Sequence, residues 1–317
     1  MTQARRAATL VVAFALATAT ACGSGNAGQK ADLKDRIGVS GSFGTRPSIR
    51  IRTPLDVPAS SWWVESPGAG DRVAATSTVI LQLTMANGRT GKTAVSTADQ
   101  GQQPLQAAIG DELFPSLAQA LVGKPAHSRV VVASTPDDAY GDQGLPQAGI
   151  KGTDPVVMVA DILSTDPTTV LHGPTGPART TPPGAPTLRE QDGVPVGLDF
   201  TGARKPSKLQ VIPLREGTGP VVADPERIAA KYLLQLWGAK EPLEENFSKE
   251  PSLYSIGLSA VVKAWDLGLV GLREGARVML VCPPDVAYGA AAQPGMPANS
   301  TLVFVLDVLG VGGGGKR

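Results

Sequence analysis

Histidine, cysteine and aromatic residues are all scarce in this chain of 317 residues. It contains two His, two Cys, four Trp, four Tyr and six Phe. Two separated histidines, His127 and His172, are too few for a multi-histidine metal site, and two cysteines cannot build a zinc ribbon or a disulfide framework. We therefore expect no metal and no cofactor. A hydrolase with a serine, histidine and aspartate triad is disfavoured for the same reason.

An excess of charge of one sign is also missing. The chain has 29 Lys and Arg against 28 Asp and Glu. A nucleic-acid-binding protein needs a basic excess to neutralise phosphates, so nucleic acid is not expected as a partner. In contrast, the 37 Gly and 27 Pro are typical of strands, turns and linkers rather than of a helical bundle. The length favours two domains.

The N-terminal residues predict an export signal. Two arginines precede an uncharged apolar run over residues 7–21, which is shorter than the ~20 residues of a membrane-spanning helix. The run ends in ATAC at 19–22, which resembles a bacterial lipobox. The resemblance implies export, cleavage before Cys22 and a lipid on its sulfur, so that the protein is anchored at the outer face of the cytoplasmic membrane. An ordinary exported protein with an incidental cysteine is the alternative.

The chain contains one module twice. A shift of 148 residues superposes residues 121–141 on 269–289 with ten of twenty-one positions identical, which indicates a repeat. A proline-rich segment separates the copies and is interpreted as a semi-extended linker. The predicted parts are a signal peptide over 1–21, a flexible tether over 22–36, a first module over 37–164, a linker over 165–200, a second module over 201–312 and a disordered tail over 313–317.

Both copies are mostly β-strand. Runs of β-branched and apolar residues at 78–85, 129–133, 156–160 and 301–306 predict strands. One amphipathic helix is expected near Ser259 to Leu269, where Val261, Val262 and Trp265 share a face with Leu269. Antiparallel strands that wrap one short helix make each module α+β.

Several motifs of the second copy occur in a familiar order. VVKAWDLGL at 261–269 is followed by GARV at 275–278 and PDVAYG at 284–289. PANSTLVF at 297–304 resembles a last loop and final strand, and residues 209–220 resemble a first strand with its EGxG turn. Together these motifs resemble the FK506-binding-protein (FKBP) family of peptidyl-prolyl cis-trans isomerases. The resemblance is fainter over residues 51–163.

The resemblance implies an aromatic pocket that holds a proline ring without metal, cofactor or nucleophile. The matching positions are Trp265 for the floor, Tyr232 and Phe304 for the walls, Val261 and Val262 for backbone contact with the peptide, and Tyr288 for a hydroxyl that binds a substrate carbonyl.

The second copy departs from the family on one side of this pocket. Leu243 and Glu244 stand where the family has Phe-Asp, so they keep an apolar wall and a carboxylate. A further aromatic wall position falls near Ser252, and Tyr254 is the nearest aromatic residue. Met296 is expected to be a flexible apolar lid over the bound peptide.

The first copy has lost most of the pocket. Only Tyr140 is kept, whereas Leu83, Ala94-Val95, Leu117 and Met158 replace the other residues. We therefore expect this copy to keep the fold without catalysis.

Two functions follow from the resemblance. The first is a peptidyl-prolyl isomerase that acts on proline-containing polypeptide clients outside the membrane. The second is a non-catalytic binding or chaperone lipoprotein of the cell envelope. Binding of FK506-like macrolides is a further expectation of the resemblance.

Overall fold

The structure is a computed structural model that describes residues 27–110 and 112–314. The segment predicted to be a signal peptide, Cys22 and residues 315–317 lie outside the described residues. Within the described ranges, no helix has the length and apolar character needed to cross a bilayer.

In its described residues, the first module contains eight strands and two α-helices. They are α1 Ala27–Arg36, β1 Ile37–Ser40, β2 Ser48–Ile51, β3 Ser61–Ser66, β4 Thr78–Asn87, β5 Thr93–Ser96, β6 Leu105–Ala108, α2 Pro115–Leu121, β7 Arg129–Ser134 and β8 Val156–Thr165.

The second module repeats this order without the first helix. Its elements are β9 Thr187–Gln191, β10 Val194–Asp199, β11 Gln210–Arg215, β12 Glu226–Leu236, β13 Glu244–Glu245, β14 Ser252–Ile256, α3 Lys263–Leu269, β15 Arg277–Cys282 and β16 Leu302–Val311.

Each module has a six-stranded antiparallel sheet with the same topology. The second sheet has the order β11-β15-β16-β12-β13, and β14 also pairs with β12. The first sheet has the order β3-β7-β8-β4-β5, and β6 also pairs with β4. The short helix α2 or α3 packs on one face of its sheet. The predicted α+β class and the repeat are confirmed.

A two-stranded hairpin covers the opposite face of each sheet. The hairpin β1–β2 packs over the first sheet and β9–β10 over the second. Both faces are therefore buried, which explains why 278–282 is a continuous apolar run rather than an alternating one. The prediction of a linker over 165–200 is wrong for this hairpin. Asp192 and Gly193, both at positive φ, form the Asp-Gly turn that favours such hairpins.

The rest of the predicted linker packs along the second module. The Leu171 N–H donates to the Leu309 carbonyl at 2.7 Å, and the Thr175 N–H donates to the Gly275 carbonyl at 2.8 Å. Proline-rich composition prevents regular structure but does not prevent packing, because carbonyls and the remaining N–H groups still find partners.

The described parts of two other segments with a predicted flexible character are ordered. Residues 27–36 of the predicted tether form α1, whose Leu33 is buried under the first sheet. The prediction of a disordered tail is wrong for Gly313 and Gly314. The Gly313 N–H donates to Glu226 at 2.8 Å, and the Gly314 N–H donates to the Val311 carbonyl at 3.2 Å.

Candidate functional site

The floor of the candidate site is the indole of Trp265 in α3. The helix begins after Val262, whose extended backbone ends the preceding loop and whose carbonyl accepts the Trp265 N–H at 2.8 Å. This start lies four residues beyond the predicted Ser259, because Ser259 has a positive φ. Gly268 lets the helix approach the sheet, since a Cβ there would lie 2.8 Å from Leu280. Trp265 is thus held against the sheet with 4% of its surface exposed.

Three aromatic rings stand around this indole. The Tyr232, Tyr254 and Phe304 ring centroids lie 5.4, 5.0 and 5.5 Å from that of Trp265, all close to perpendicular to it. They come from β12, β14 and β16, which are neighbours in the sheet. Edge-to-face contacts of this kind add ~0.5–1.5 kcal/mol each to the burial of the rings. Each ring of the cup is therefore supported by its neighbours.

The rim of the cup carries its polar groups. The Tyr232 hydroxyl donates to Glu244 Oε1 at 2.5 Å, and burial together with this carboxylate raises the pKa of Tyr232 well above its usual range. Tyr288 is exposed at the mouth. With Val261, Val262 and Leu234, these residues enclose a cavity of about 170 Å³.

A second depression of about 310 Å³ adjoins the cup. It shares Glu244 and Tyr288 with the cup and adds Leu243 and Met296. Met296 is only 6% exposed and belongs to the core. Met296 is therefore packed into the wall of the depression, and its flexibility as a lid stays a prediction.

The structure brings most of the predicted site residues together. Tyr232, Glu244, Tyr254, Val261, Val262, Trp265, Tyr288 and Phe304 line the cup, and Leu243 and Met296 line only the depression. Ser252 is exposed and accepts a hydrogen bond from the Asn246 side chain, so Tyr254 supplies the missing aromatic wall. Sequence reasoning missed Leu234. The alternation of side chains along β12 places it on the face of Tyr232 and could have indicated it.

The corresponding place in the first module is filled by side chains. Phe114 stands at the start of α2 as Val262 does at the start of α3, and its ring lies 4.7 Å from that of Tyr140. Burial raises the pKa of Tyr140 to about 12. Both residues pack on the core that contains Leu83, Leu117 and Met158. The lost aromatic cage is thus replaced by packed core.

A comparison with protein families shows which family the domain that contains the cup resembles. Residues 219–309 match the model of the FKBP-type peptidyl-prolyl cis-trans isomerase family. The second module is an FKBP-type isomerase domain. This match confirms the family predicted from the sequence, and it contains every residue of the FKBP cup.

Fungal relatives support the same assignment over a limited length. FK506-binding protein 4 of Chaetomium thermophilum is 39% identical over 93 residues, which are 29% of this chain and 19% of that protein. FK506-binding protein 4 of Mycosarcoma maydis is 37% identical over 105 residues, which are 33% of this chain and 28% of that protein. The chain thus spans less than a third of the length of either relative.

Solved structures that contain FKBP domains superpose on this chain with low TM-scores. The three FKBP domains of wheat FKBP73 cover 80% of this chain and 95% of their own at 16% identity and a TM-score of 0.34. FkpA from Escherichia coli covers 37% of this chain and 51% of its own at 30% identity and a TM-score of 0.31. The family assignment rests on the sequence match.

Proposed function

We propose that the FKBP domain catalyses cis–trans isomerisation of X–Pro bonds in polypeptide clients. The aromatic cup around Trp265 is the observation that carries the proposal. Rotation about an X–Pro bond crosses a barrier of ~18–20 kcal/mol, and without a catalyst it takes tens to hundreds of seconds. No bond is made or broken, so the site needs shape and polarity rather than a nucleophile.

The chemistry follows from the polarity of the amide. A planar amide shares its nitrogen lone pair with the carbonyl, which separates charge, and a twisted amide does not. An apolar cup therefore favours the twisted form relative to the planar one. Trp265, Tyr232 and Phe304 would hold the proline ring, and Tyr288 would orient the carbonyl. Each ~1.4 kcal/mol of differential stabilisation speeds the rotation about tenfold.

A pair of tryptophan variants tests the proposal. Trp265→Leu should lower kcat/KM on a Leu-Pro peptide by at least about tenfold, because it removes the floor of the cup. Trp237→Leu is the matched control, because Trp237 packs on Phe200 at the opposite face of the sheet, 5.0 Å between ring centroids. NMR exchange spectroscopy on the purified chain measures the rate, and circular dichroism checks that each variant is folded. Full activity of folded Trp265→Leu would contradict the proposal.

We propose further that the first module has no isomerase activity. The packing of Phe114 against Tyr140 supports this, because it occupies the space where a proline ring would enter. The residual rate of the Trp265→Leu chain should then come from the second module alone, so adding Tyr140→Phe, at the one pocket position that the first module keeps, should leave it unchanged. A further fall of the rate on adding Tyr140→Phe would show that the first module is active.

We propose that the chain is exported and held by a lipid on Cys22 at the outer face of the cytoplasmic membrane. The support is the apolar run over 7–21 and the sequence ATAC at 19–22. Metabolic labelling with an alkyne analogue of palmitate should mark the parent chain and not Cys22→Ala. Cys282→Ala is the matched control, since Cys282 is buried in the core and should not be labelled. Equal labelling of Cys22→Ala would refute the anchor.

The relatives are named as FK506-binding proteins, and we propose that macrolides of this kind enter the same cup. Its apolar rings support the proposal. FK506 should inhibit the isomerase activity competitively with the peptide. Inhibition that does not depend on peptide concentration would contradict a shared site.

A further inference from the structure

A groove of about 400 Å³ lies beside β11, away from the residues of the cup. One wall is the strand itself, from Gln210 to Ile212, and the other is the segment from Pro182 to Ala185. Arg204 also lines it. The residues of the groove have no part in the isomerase site, because none of them lines the cup or the adjoining depression.

β11 is an edge strand of its sheet, and the preceding chain covers only one end of it. The Arg179 N–H donates to the Leu214 carbonyl at 2.9 Å, and Ala178 bridges Arg215. Farther along, Pro182 and Pro183 have no N–H groups, so the chain cannot continue the ladder. The groove opens at this point.

Backbone hydrogen-bonding groups of Val211 point into the groove. The Val308 N–H donates to the Ala276 carbonyl at 2.9 Å. Every second residue after Ala276 therefore directs its backbone N–H and C=O towards β16, and the residues between them direct theirs towards β11. By this alternation Met279 directs its backbone groups towards Ile212 of β11. Val211, the next residue, therefore directs its N–H and C=O away from the sheet, where no other described residue bonds them. An unpaired edge of this kind accepts another extended chain.

The groove is bordered by positive charge. Arg204 lines it, and Lys205 and Lys208 follow in the same exposed segment between β10 and β11. Asp199, at the start of this segment, already accepts hydrogen bonds from Thr201 at 2.8 and 2.7 Å. Arg204 thus presents a cation to whatever enters the groove, and the two lysines lie one and four residues farther along the same exposed segment.

We propose that this groove binds an extended acidic peptide segment of a partner protein, which adds to β11 as a further strand. The backbone of Val211 pairs with the segment, and Arg204, Lys205 and Lys208 attract its carboxylates. The site is separate from the cup, so a partner is held there while the cup stays free.

Anisotropy with a labelled peptide tests the proposal. The probe is a proline-free, fluorescein-labelled hexapeptide of alternating valine and glutamate, titrated with the purified chain. Saturable binding is expected, and added NaCl should weaken it because the charges are exposed. Arg204→Glu should raise Kd by at least about fivefold, whereas Lys92→Glu, an equal charge change on an exposed loop of the first module, should leave Kd within about twofold.

Peptide analogues separate strand addition from other binding. An analogue with N-methylated backbone amides should lose binding, because it cannot pair with β11. An analogue with lysine in place of glutamate should also lose it. Equal binding of either analogue would overturn the proposal, as would the absence of saturable binding. Loss of binding in Tyr288→Ala would place the probe in the cup and overturn it as well.

Discussion

At the scale of single residues, the cup depends on polar atoms placed at the edge of an apolar surface. Tyr232 belongs both to the apolar surface and to its polar edge, because its ring contacts Trp265 and its hydroxyl donates to Glu244. Glu244 is exposed, so this hydrogen bond is made next to water and contributes modestly to stability. Its main effect is to fix the tyrosine ring in the orientation that closes the cup.

Tyr232→Phe should separate this positioning effect from stability. We expect kcat/KM on a Leu-Pro peptide to fall about three- to tenfold, because the ring loses its fixed orientation. The free energy of unfolding should change by less than about 1 kcal/mol. Tyr254→Phe is the control, since it removes a hydroxyl from a neighbouring wall ring but not the bond to Glu244, and its activity should stay within about twofold of the parent. Unchanged activity of Tyr232→Phe would show that the bond does not position the ring.

Tyr140 should give the first module a specific alkaline sensitivity. Burial raises its pKa to about 12, whereas an unfolded tyrosine ionises near pH 10. The folded state therefore keeps a proton that the unfolded state releases, and stability falls as pH rises from about 10 to 12. Urea unfolding at pH 8 and pH 11 should show a smaller loss for Tyr140→Phe than for the parent. Equal losses in the two chains would contradict this assignment.

At the scale of secondary-structure elements, a buried arginine fastens each hairpin to its sheet. Arg277 in β15 donates twice to Asp307 in β16, at 2.6 and 2.7 Å, and once to the Gly193 carbonyl in the β9–β10 turn, at 2.9 Å. In the first module Arg129 pairs with Asp161 and donates to the carbonyls of residues 41 and 42 between β1 and β2. The repeat therefore includes the hairpin that covers the sheet as well as the sheet itself.

Arg277→Met should cost about 3–5 kcal/mol of unfolding free energy, because it leaves the Asp307 carboxylate buried without its partner. Arg179→Ala breaks the exposed ion pair with Glu216 at 2.5 Å and should cost less than about 1 kcal/mol. Urea denaturation measures both. The double variant Arg277→Met, Asp307→Leu should recover most of the loss. Equal costs for the two single variants would show that the buried pair has no special role.

At the scale of the whole molecule, a buried polar junction joins the modules. Glu226 in β12 accepts hydrogen bonds from the Ser164 hydroxyl in β8 and from the Gly313 N–H at 2.8 Å. Beside it, Arg227 pairs with Asp166 at 2.6 Å. Burial raises the pKa of Glu226, so folding disfavours its ionised form.

Glu226→Gln should stabilise the chain at pH 7 and not at pH 4. A carboxyl whose pKa is higher in the folded than in the unfolded state stabilises the fold at pH values below its pKa in the unfolded state. This stabilisation is lost as the pH rises through the pKa of the folded state. Glutamine keeps the accepting oxygen without the charge. Glu245→Gln is a control in which stability should change in the opposite direction. Hydrogen bonds from Ser248 lower the pKa of Glu245, so this variant should be slightly less stable than the parent at pH 7. Thermal unfolding at both pH values measures the changes, and a lower midpoint of Glu226→Gln at pH 7 would contradict the assignment.

The repeat, the α+β class and most of the cup could be predicted from the sequence. These features depend on local patterns, namely identical residues at a constant shift, β-branched runs and motifs of fixed spacing. Trp265 and Phe304 could also be identified, because each lies inside such a motif, whereas Tyr232 was identified by its match to a single position of the family pattern.

Features that depend on contacts between distant residues became visible only in the folded chain. Folding placed Tyr254 against Trp265, packed Met296 into the wall of the adjoining depression and put Phe114 against Tyr140 in the first module. It also turned a proline-rich linker into a hairpin and packed chain. Composition cannot reveal these outcomes, because burial depends on which surface a segment meets after folding, and local spacing carries no information about that surface.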